Sequence, residues 1–168
     1  MERVNHILRH DLFTENLKRL NGIEKDTDFF CRHGMEHFLD AARIAWTLYL
    51  ESPCDSGFEV QNPGYIKEMI YAAAMLHDIG RARQYEDKTP HEQESARIAA
   101  NVLPDCGFDK TEIELILDAI LSHRTRSGGG KPGLAGLLYR ADKLSRLCFL
   151  CSASGECDWD MKNERMEY

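Results

Sequence analysis

No stretch of the 168 residues is apolar for long enough to cross a bilayer, which argues against a membrane-spanning helix. The opening run Met1-Glu2-Arg3-Val4-Asn5-His6 lacks the pattern of a secretory signal, so the expected location is the cytoplasm. Positive charge is in deficit: 21 lysines and arginines stand against 28 aspartates and glutamates, a net charge of −7. A protein whose main task is to grip nucleic-acid phosphates is therefore not expected. A small phosphate ligand is still compatible, because a metal and a few arginines can make a local positive pocket. No strand-like alternation and no internal repeat is present. Gly128-Gly129-Gly130-Lys131-Pro132 is not a nucleotide-binding P-loop, since it lacks the spacing, the Ser or Thr after lysine, and a preceding strand.

What is present is helical periodicity. A hydrophobic content of 43% beside 29% charged residues describes one globular domain with a real core. Ile7, Leu8, Leu12, Phe13, Leu17 and Leu20 predict a helix over 4–20, ended by Asn21-Gly22. A second is expected over 35–50, with Phe38, Ala41, Ala42, Ala45 and Leu48 on its apolar side. Two prolines and two glycines make 52–64 a loop. The third, 65–76, carries Ile66, Met69, Ile70, Ala73 and Ala74 on one stripe, and His77 continues that face. Thr89-Pro90-His91-Glu92 reads as a capping box opening a fourth helix, and Asp109-Lys110-Thr111-Glu112 repeats that logic for a fifth. The fifth runs to Ser122, its stripe continued by His123. A sixth follows Ser127-Gly128-Gly129-Gly130 and extends to about Leu147. The predicted fold is an all-α bundle, with 1–30 an N-terminal helix and connection, 31–147 the main domain and 148–168 a cysteine-containing tail.

Chemistry-bearing residues fall at the ends of these stripes. His77-Asp78 pairs a neutral nitrogen with an anionic oxygen, the smallest unit that holds a divalent cation. His37 precedes it; His91, His123 and Asp142 follow it on other helices. Singly, each reads as a hydrogen-bonded core or rim residue, and Asp142 as a surface acid paired with Lys143. Together, burying so many polar groups without a partner costs several kcal/mol, so a shared metal is the simpler account. His33 lies one helical turn before His37 and is assigned to the pocket, not to the metal.

In a cytoplasmic chain the six cysteines are expected as thiols or metal ligands. Cys148-x2-Cys151-x5-Cys157 is a second candidate thiol site; Cys148 and Cys151 read equally as small core residues. A fourth ligand, from Cys31 or Cys54, is not placed by spacing.

Five segments in order carry a resemblance: His37-Phe38-Leu39-Asp40-Ala41-Ala42-Arg43-Ile44-Ala45, Ala72-Ala73-Ala74-Met75-Leu76-His77-Asp78-Ile79-Gly80-Arg81, His91-Glu92-Gln93-Glu94-Ser95-Ala96, Ile120-Leu121-Ser122-His123 and Tyr139-Arg140-Ala141-Asp142-Lys143-Leu144. Over roughly 32–146 the chain resembles the HD-domain superfamily of metal-dependent phosphohydrolases. The resemblance implies an all-α fold with His37, His77, Asp78 and Asp142 around a first metal. It implies His91 and His123 for a second metal or the substrate phosphate. The cysteine tail is not part of that family's general pattern.

A ligand set of imidazoles and carboxylates suits Mn²⁺, Fe²⁺, Co²⁺, Ni²⁺ or Zn²⁺ better than Mg²⁺, as one ion or two. Such an ion can lower the pKa of bound water from ~15.7 to ~7 and polarise a phosphoryl oxygen. Asp78 and Arg81 are the expected catalytic residues, Arg81 neutralising charge on the transferred group or else standing solvated in a loop. His33, Arg124 and Lys143 are expected to meet substrate. Arg124, Arg126 and Lys131 around the glycine run suggest a lid or a solvated connection. Glu86 and Asp87 read as a proton relay or as surface acids.

The leading expectation is a phosphohydrolase acting on a small phosphorylated metabolite, a nucleotide foremost, without nucleic-acid or membrane partners. The alternatives are a mixed-valent di-iron oxygenase and a non-catalytic nucleotide sensor. Monomer or homodimer is left open.

Overall fold

Apolar stripes dictate where this chain coils, and the computed structural model, which describes residues 1–26, 31–51, 63–125, 129–157 and 159, is helical throughout those stripes. In chain order the helices are α1 (Glu2–Arg9), α2 (Asp11–Lys25), α3 (Met35–Glu51), α4 (Pro63–Leu76), α5 (Arg81–Asp87), α6 (His91–Asp105), α7 (Lys110–Ser122) and α8 (Gly133–Leu144), followed by a 3₁₀ turn at Cys148–Leu150. No strand occurs among the described residues, and no helix there is long and apolar enough to cross a membrane. The predicted all-α class is what the chain adopts.

Helix α4 is the hub. From Ala72 to Gly80 every residue is buried, and the short alanines let neighbouring helices approach closely. Helices α3, α7, α8, α1 and α6 pack around it, α3 and α7 also packing on α8. Helix α5 rests on α6 and α2. The apolar residues of these elements form one contiguous core that includes Phe13, Phe38, Met69, Ile98, Ile120 and Leu138. Burying such side chains contributes about 1.5–3 kcal/mol each.

Four sequence expectations shift. The helix expected over 4–20 is two, because His10 adopts an extended backbone (φ −70°, ψ 133°) and caps α2, its Nδ1 accepting from the Leu12 N–H at 3.2 Å. Asn21-Gly22 does not end α2, which continues to Lys25; the last turn holds Glu24 buried. The Thr89 capping box does not form. Pro90 itself takes the cap position, and the His91 N–H donates to Gln84 Oε1 at 3.2 Å instead. Helix α8 stops at Leu144, short of the expected Leu147. The Asp109–Glu112 capping box is present as expected, with Glu112 N–H to Asp109 Oδ1 at 2.9 Å and Asp109 N–H to Glu112 Oε2 at 3.0 Å. Of the expected loop 52–64, residues 52–62 lie outside the described residues, and α4 begins at Pro63.

Candidate metal centre

Two of the histidines are positioned by helix ends. A helix leaves its last carbonyls unpaired, and a side-chain N–H can satisfy them. At the end of α4 the His77 Nδ1–H donates to the Ala74 carbonyl at 2.8 Å. At the end of α7 the His123 Nδ1–H donates to the Ile120 carbonyl at 2.6 Å. The other two are held by side chains. Gln84 Oε1 accepts from His91 Nδ1 at 2.5 Å. Ser145 Oγ, whose own proton goes to the Asp142 carbonyl at 2.7 Å, accepts from His37 Nδ1 at 3.1 Å.

These bonds place the proton of each neutral ring on Nδ1 and leave every Nε2 as a bare lone pair. The lone pairs then face one another. His37 Nε2 and His77 Nε2 are 3.1 Å apart, as are His91 Nε2 and His123 Nε2. Between them stands the fully buried Asp78. Its Oδ1 lies 3.0 Å from His91 Nε2 and 3.4 Å from His123 Nε2, and its Oδ2 lies 3.6 Å from both His37 and His77 Nε2. Asp142 Oδ1 closes the other side, 3.3 Å from His37 and 3.7 Å from His77 Nε2. Lone pairs and carboxylate oxygens at such separations repel unless a cation lies among them.

The donor set fits divalent ions. Three groups each have their donor atoms within 4.8 Å: His37, His77 and Asp78; His77, His123 and Asp142; and Asp78, His91 and His123. The first and third share Asp78, so two neighbouring ions could be held with that carboxylate between them. Helices α4 and α7 end at Leu76 and Ser122, directly before His77 and His123, so their negative C-terminal ends lie beside the cluster and favour a cation further.

Guanidinium groups supply the nearest positive charge. Arg81 binds Asp78 through Nε at 3.1 Å to Oδ2 and Nη2 at 3.0 Å to Oδ2 and 3.2 Å to Oδ1, and its Nη2 lies 3.5 Å from His91 Nε2. Arg146 does the same on the other side, 3.1 Å from Asp142 Oδ1 and 3.4 Å from His37 Nε2. Lys143 Nζ reaches Asp142 Oδ2 at 2.5 Å and the His123 carbonyl at 3.3 Å. Burial opposes the charged carboxylates, yet Arg81 holds Asp78 and Arg146 holds Asp142 well below the usual carboxylate range. Burial pushes His91 down from its ordinary value, and pushes His33 down to about 3 with the charge of Arg81 adding to it.

His33 stands at the edge of the cluster, its Nε2 3.9 Å from Asp78 Oδ2. Glu24 grips it twice, Oε2 taking the backbone N–H and Oε1 facing Nδ1, both at 2.8 Å. The Tyr85 hydroxyl donates to Glu24 Oε1 at 3.0 Å. Above the cluster opens a cavity of about 1200 Å³ bordered by His33, His37, His91, His123 and Asp142.

The six proposed ligands thus converge, and Arg81 and Lys143 join them. Arg124 borders the cavity and pairs with Glu92 at 3.4 Å. Arg126 lies outside the described residues, and Lys131 pairs with Asp118 at 2.7 Å. Neither Glu86 nor Asp87 belongs to the site: Glu86 pairs with Arg19, and Asp87 with Arg83 at 2.5 Å. Ser145 and Arg146 escaped the sequence reading, although they follow Asp142 by three and four residues and so share its helical face. Glu24, Gln84 and Tyr85 gave no signal, since each looks like an ordinary polar surface position.

Comparison with known proteins agrees with this geometry. The HD domain model matches residues 34–147. A protein of Clostridium beijerinckii, called only an uncharacterized protein, is 42% identical over 170 residues, covering 100% of both chains. Among solved structures, a predicted HD superfamily hydrolase from an uncultured Thermotogales bacterium superposes with a TM-score of 0.57 at 27% identity, over 78% of this chain and 66% of that one. The span matched by the family model carries every imidazole and carboxylate of the cluster, from His37 to Asp142, and the chain belongs to the HD domain family.

Proposed function

We propose that this protein is a metal-dependent hydrolase, and specifically a phosphohydrolase that cleaves a phosphoester or phosphoanhydride of a small metabolite, a nucleotide foremost. The observation that carries the reading is the set of four Nε2 lone pairs turned on one another around Asp78. His37, His77, Asp78 and Asp142 would hold a first ion, and His91 and His123, sharing Asp78, a second. The ion supplies Lewis acidity, polarising a phosphoryl oxygen and acidifying water.

The chain's own residues account for the rest. On a protein of net charge −7, the cavity wall carries Lys25, Arg32, Arg81, Arg124, Lys143 and Arg146 against Glu24, Glu36, Asp40 and Asp142. That local excess of cations draws an anionic substrate into an acidic protein. Arg81 and Arg146 present N–H groups for phosphoryl oxygens once the charge on Asp78 and Asp142 is shared with a cation, and they stabilise the charge that develops there. His33 Nε2, unprotonated because the ring's proton faces Glu24 from Nδ1, is positioned to take a proton from an attacking water, with Glu24 fixing the ring from behind. The cavity, at about 1200 Å³, exceeds what a phosphate needs, and Met35, Tyr139 and Trp159 on its wall suit a base and sugar.

The test is product release from nucleoside mono-, di- and triphosphates with added Mn²⁺ or Co²⁺. Asp78→Asn should lose metal and activity while keeping its helical circular dichroism. Full activity in that variant would overturn the metal-site reading. Iron-dependent oxygen uptake in place of phosphate release would move the assignment to an oxygenase.

A further inference from the structure

The cavity wall is sorted by charge. Where it meets the ligands, Arg81, Lys143 and Arg146 pair with the carboxylates of Asp78 and Asp142. Another stretch of the same wall is built by residues 147–159, which begin where the span matched by the HD domain model ends. Successive turns fold this stretch. The Leu150 N–H donates to the Leu147 carbonyl at 3.0 Å, the Ser154 N–H to the Cys151 carbonyl at 3.2 Å, and the Cys157 N–H to the Ala153 carbonyl at 3.1 Å. What it lends to the cavity is three thiols and the side chains of Leu147, Leu150, Ser152, Ser154 and Trp159. None of these carries a formal charge. Glu156, the one charged residue described in the stretch, is exposed and does not border the cavity.

Two of the wall's apolar side chains are open to water. Leu147 is 54% exposed and Leu150 73%, more than any other large apolar residue among those described. Leucines that border a cavity and still face water are stabilised when an apolar group covers them. Continuity with the metal centre says what that group is: the remainder of a molecule whose phosphoryl group sits among the ligands.

We propose that residues 147–159 are the specificity-determining wall of the site, shaped for the uncharged, ring-bearing alcohol of a phosphate monoester. The inference rests on the hydrolase reading above. Trp159 lies against the ring, Leu147 and Leu150 cover its apolar surface, and the Ser152 and Ser154 hydroxyls meet its polar edge. In the hydrolysis, water's oxygen bonds to phosphorus as the bond from phosphorus to the alcohol oxygen breaks. The alcohol leaves across this wall carrying a proton, and nothing is oxidised or reduced.

The experiment compares two phosphate monoesters of primary alcohols, adenosine 5′-monophosphate and ethyl phosphate, in the full-length chain with Mn²⁺. Their leaving groups are chemically alike, so the ratio of their kcat/KM values reads contact with the alcohol. Leu150→Ser and Trp159→Leu should each lower that ratio by roughly 10-fold, through KM, the scale of one lost apolar contact in a pocket. Glu156→Gln should leave it unchanged. A second readout needs no turnover. The chain has two tryptophans, and Trp46, stacked on Tyr49 and absent from the cavity wall, can be replaced by Phe. Trp159 fluorescence should then be quenched by adenosine, in Asp78→Asn as well, and not by inorganic phosphate. Quenching by adenosine that Leu150→Ser weakens, in a protein that hydrolyses neither ester, would keep the wall and remove the hydrolase reading. Hydrolysis of both esters at a ratio indifferent to Leu150→Ser and Trp159→Leu, without quenching, would overturn the wall and keep the hydrolase. If Trp159→Leu does not fold, Leu150→Ser and the quenching decide, since a side chain as exposed as Leu150 has little packing to lose.

Discussion

At the scale of single residues, the centre is set by hydrogen bonds made away from it. Each imidazole gives its Nδ1 proton to a carbonyl, amide or hydroxyl oxygen, and that bond turns its Nε2 inward. Such outer partners fix ring orientation and raise the basicity of the inner nitrogen. The ligands themselves were legible because helical spacing put His77 and His123 at the ends of apolar stripes. Their outer partners were not, because a backbone carbonyl has no letter and Gln84 resembles any surface glutamine. Glu24 was hidden for a related reason: it sits in a run of charged residues, and only the continuation of α2 past Asn21-Gly22 buries it. The role proposed for His33 makes a clear expectation. His33→Ala should lower kcat by roughly 10²-fold, in the range of lost acid–base catalysis, and leave metal content unchanged. His37→Ala should lose metal along with activity. Glu24→Gln should behave as a milder His33→Ala, since it weakens the grip on the ring without removing it. Steady-state kinetics with metal analysis on all three variants checks this, and metal loss in His33→Ala would make it a ligand.

At the scale of elements, what positions the site is the close approach of α6 to the turn after α4. Gly80 permits it: a Cβ there would stand 2.4 Å from the Ser95 backbone nitrogen and 2.8 Å from the Glu94 carbonyl carbon. The Gly80 N–H also donates to Ser95 Oγ at 2.9 Å, locking the turn onto the helix. Gly80→Ala must push α6 away, and with it His91 from Asp78. The expected cost is about 1–3 kcal/mol, as for other overpacked positions, with loss of the second ion before the first. Thermal unfolding combined with metal titration reads both, and an unchanged midpoint would contradict the packing argument.

Helix α1 is pinned differently. Arg3 joins it to α4 and α7 through Glu68 and Glu112, each at 2.6 Å, and lies 4.2 Å from the Phe108 ring centre. Arg3→Ala leaves two half-buried carboxylates without their partner, so a loss of about 1–3 kcal/mol is expected in urea unfolding, with activity kept. The general helical plan was legible from periodicity. The break at His10 was not, since residues 4–20 keep their spacing straight through it. Helix α5 was also missed, because Arg81–Asp87 buries only Ala82 and so shows no stripe.

At the scale of the whole molecule, stability and metal binding are one problem. The fold brings four Nε2 lone pairs and two carboxylates into a buried space, where Arg81, Lys143 and Arg146 balance the carboxylates but leave the Nε2 lone pairs of His77 and His123 facing carboxylate oxygens. The unfolded chain has no such arrangement, so an ion that binds the folded state draws the equilibrium toward it. At a free-ion concentration of 100 Kd that linkage contributes about 2.7 kcal/mol. For a chain of this size each kcal/mol moves the melting midpoint by about 2–4 °C. Chelator-treated protein should therefore gain roughly 5–10 °C in Tm when Mn²⁺ or Co²⁺ is restored. Asp78→Asn separates this effect from unspecific ion binding. It removes the carboxylate shared by two donor groups, so its melting should be nearly indifferent to added metal. Its midpoint under chelation should fall below that of the chelated parent, because Asn leaves the buried Arg81 guanidinium without the carboxylate it pairs with at 3.0 Å. Differential scanning calorimetry on the two proteins, with and without chelator, reads all four midpoints. A parent protein that melts at the same temperature in every condition, with its helices intact, would mean that the inward lone pairs are satisfied by the arginines alone and that the cluster is not a metal centre.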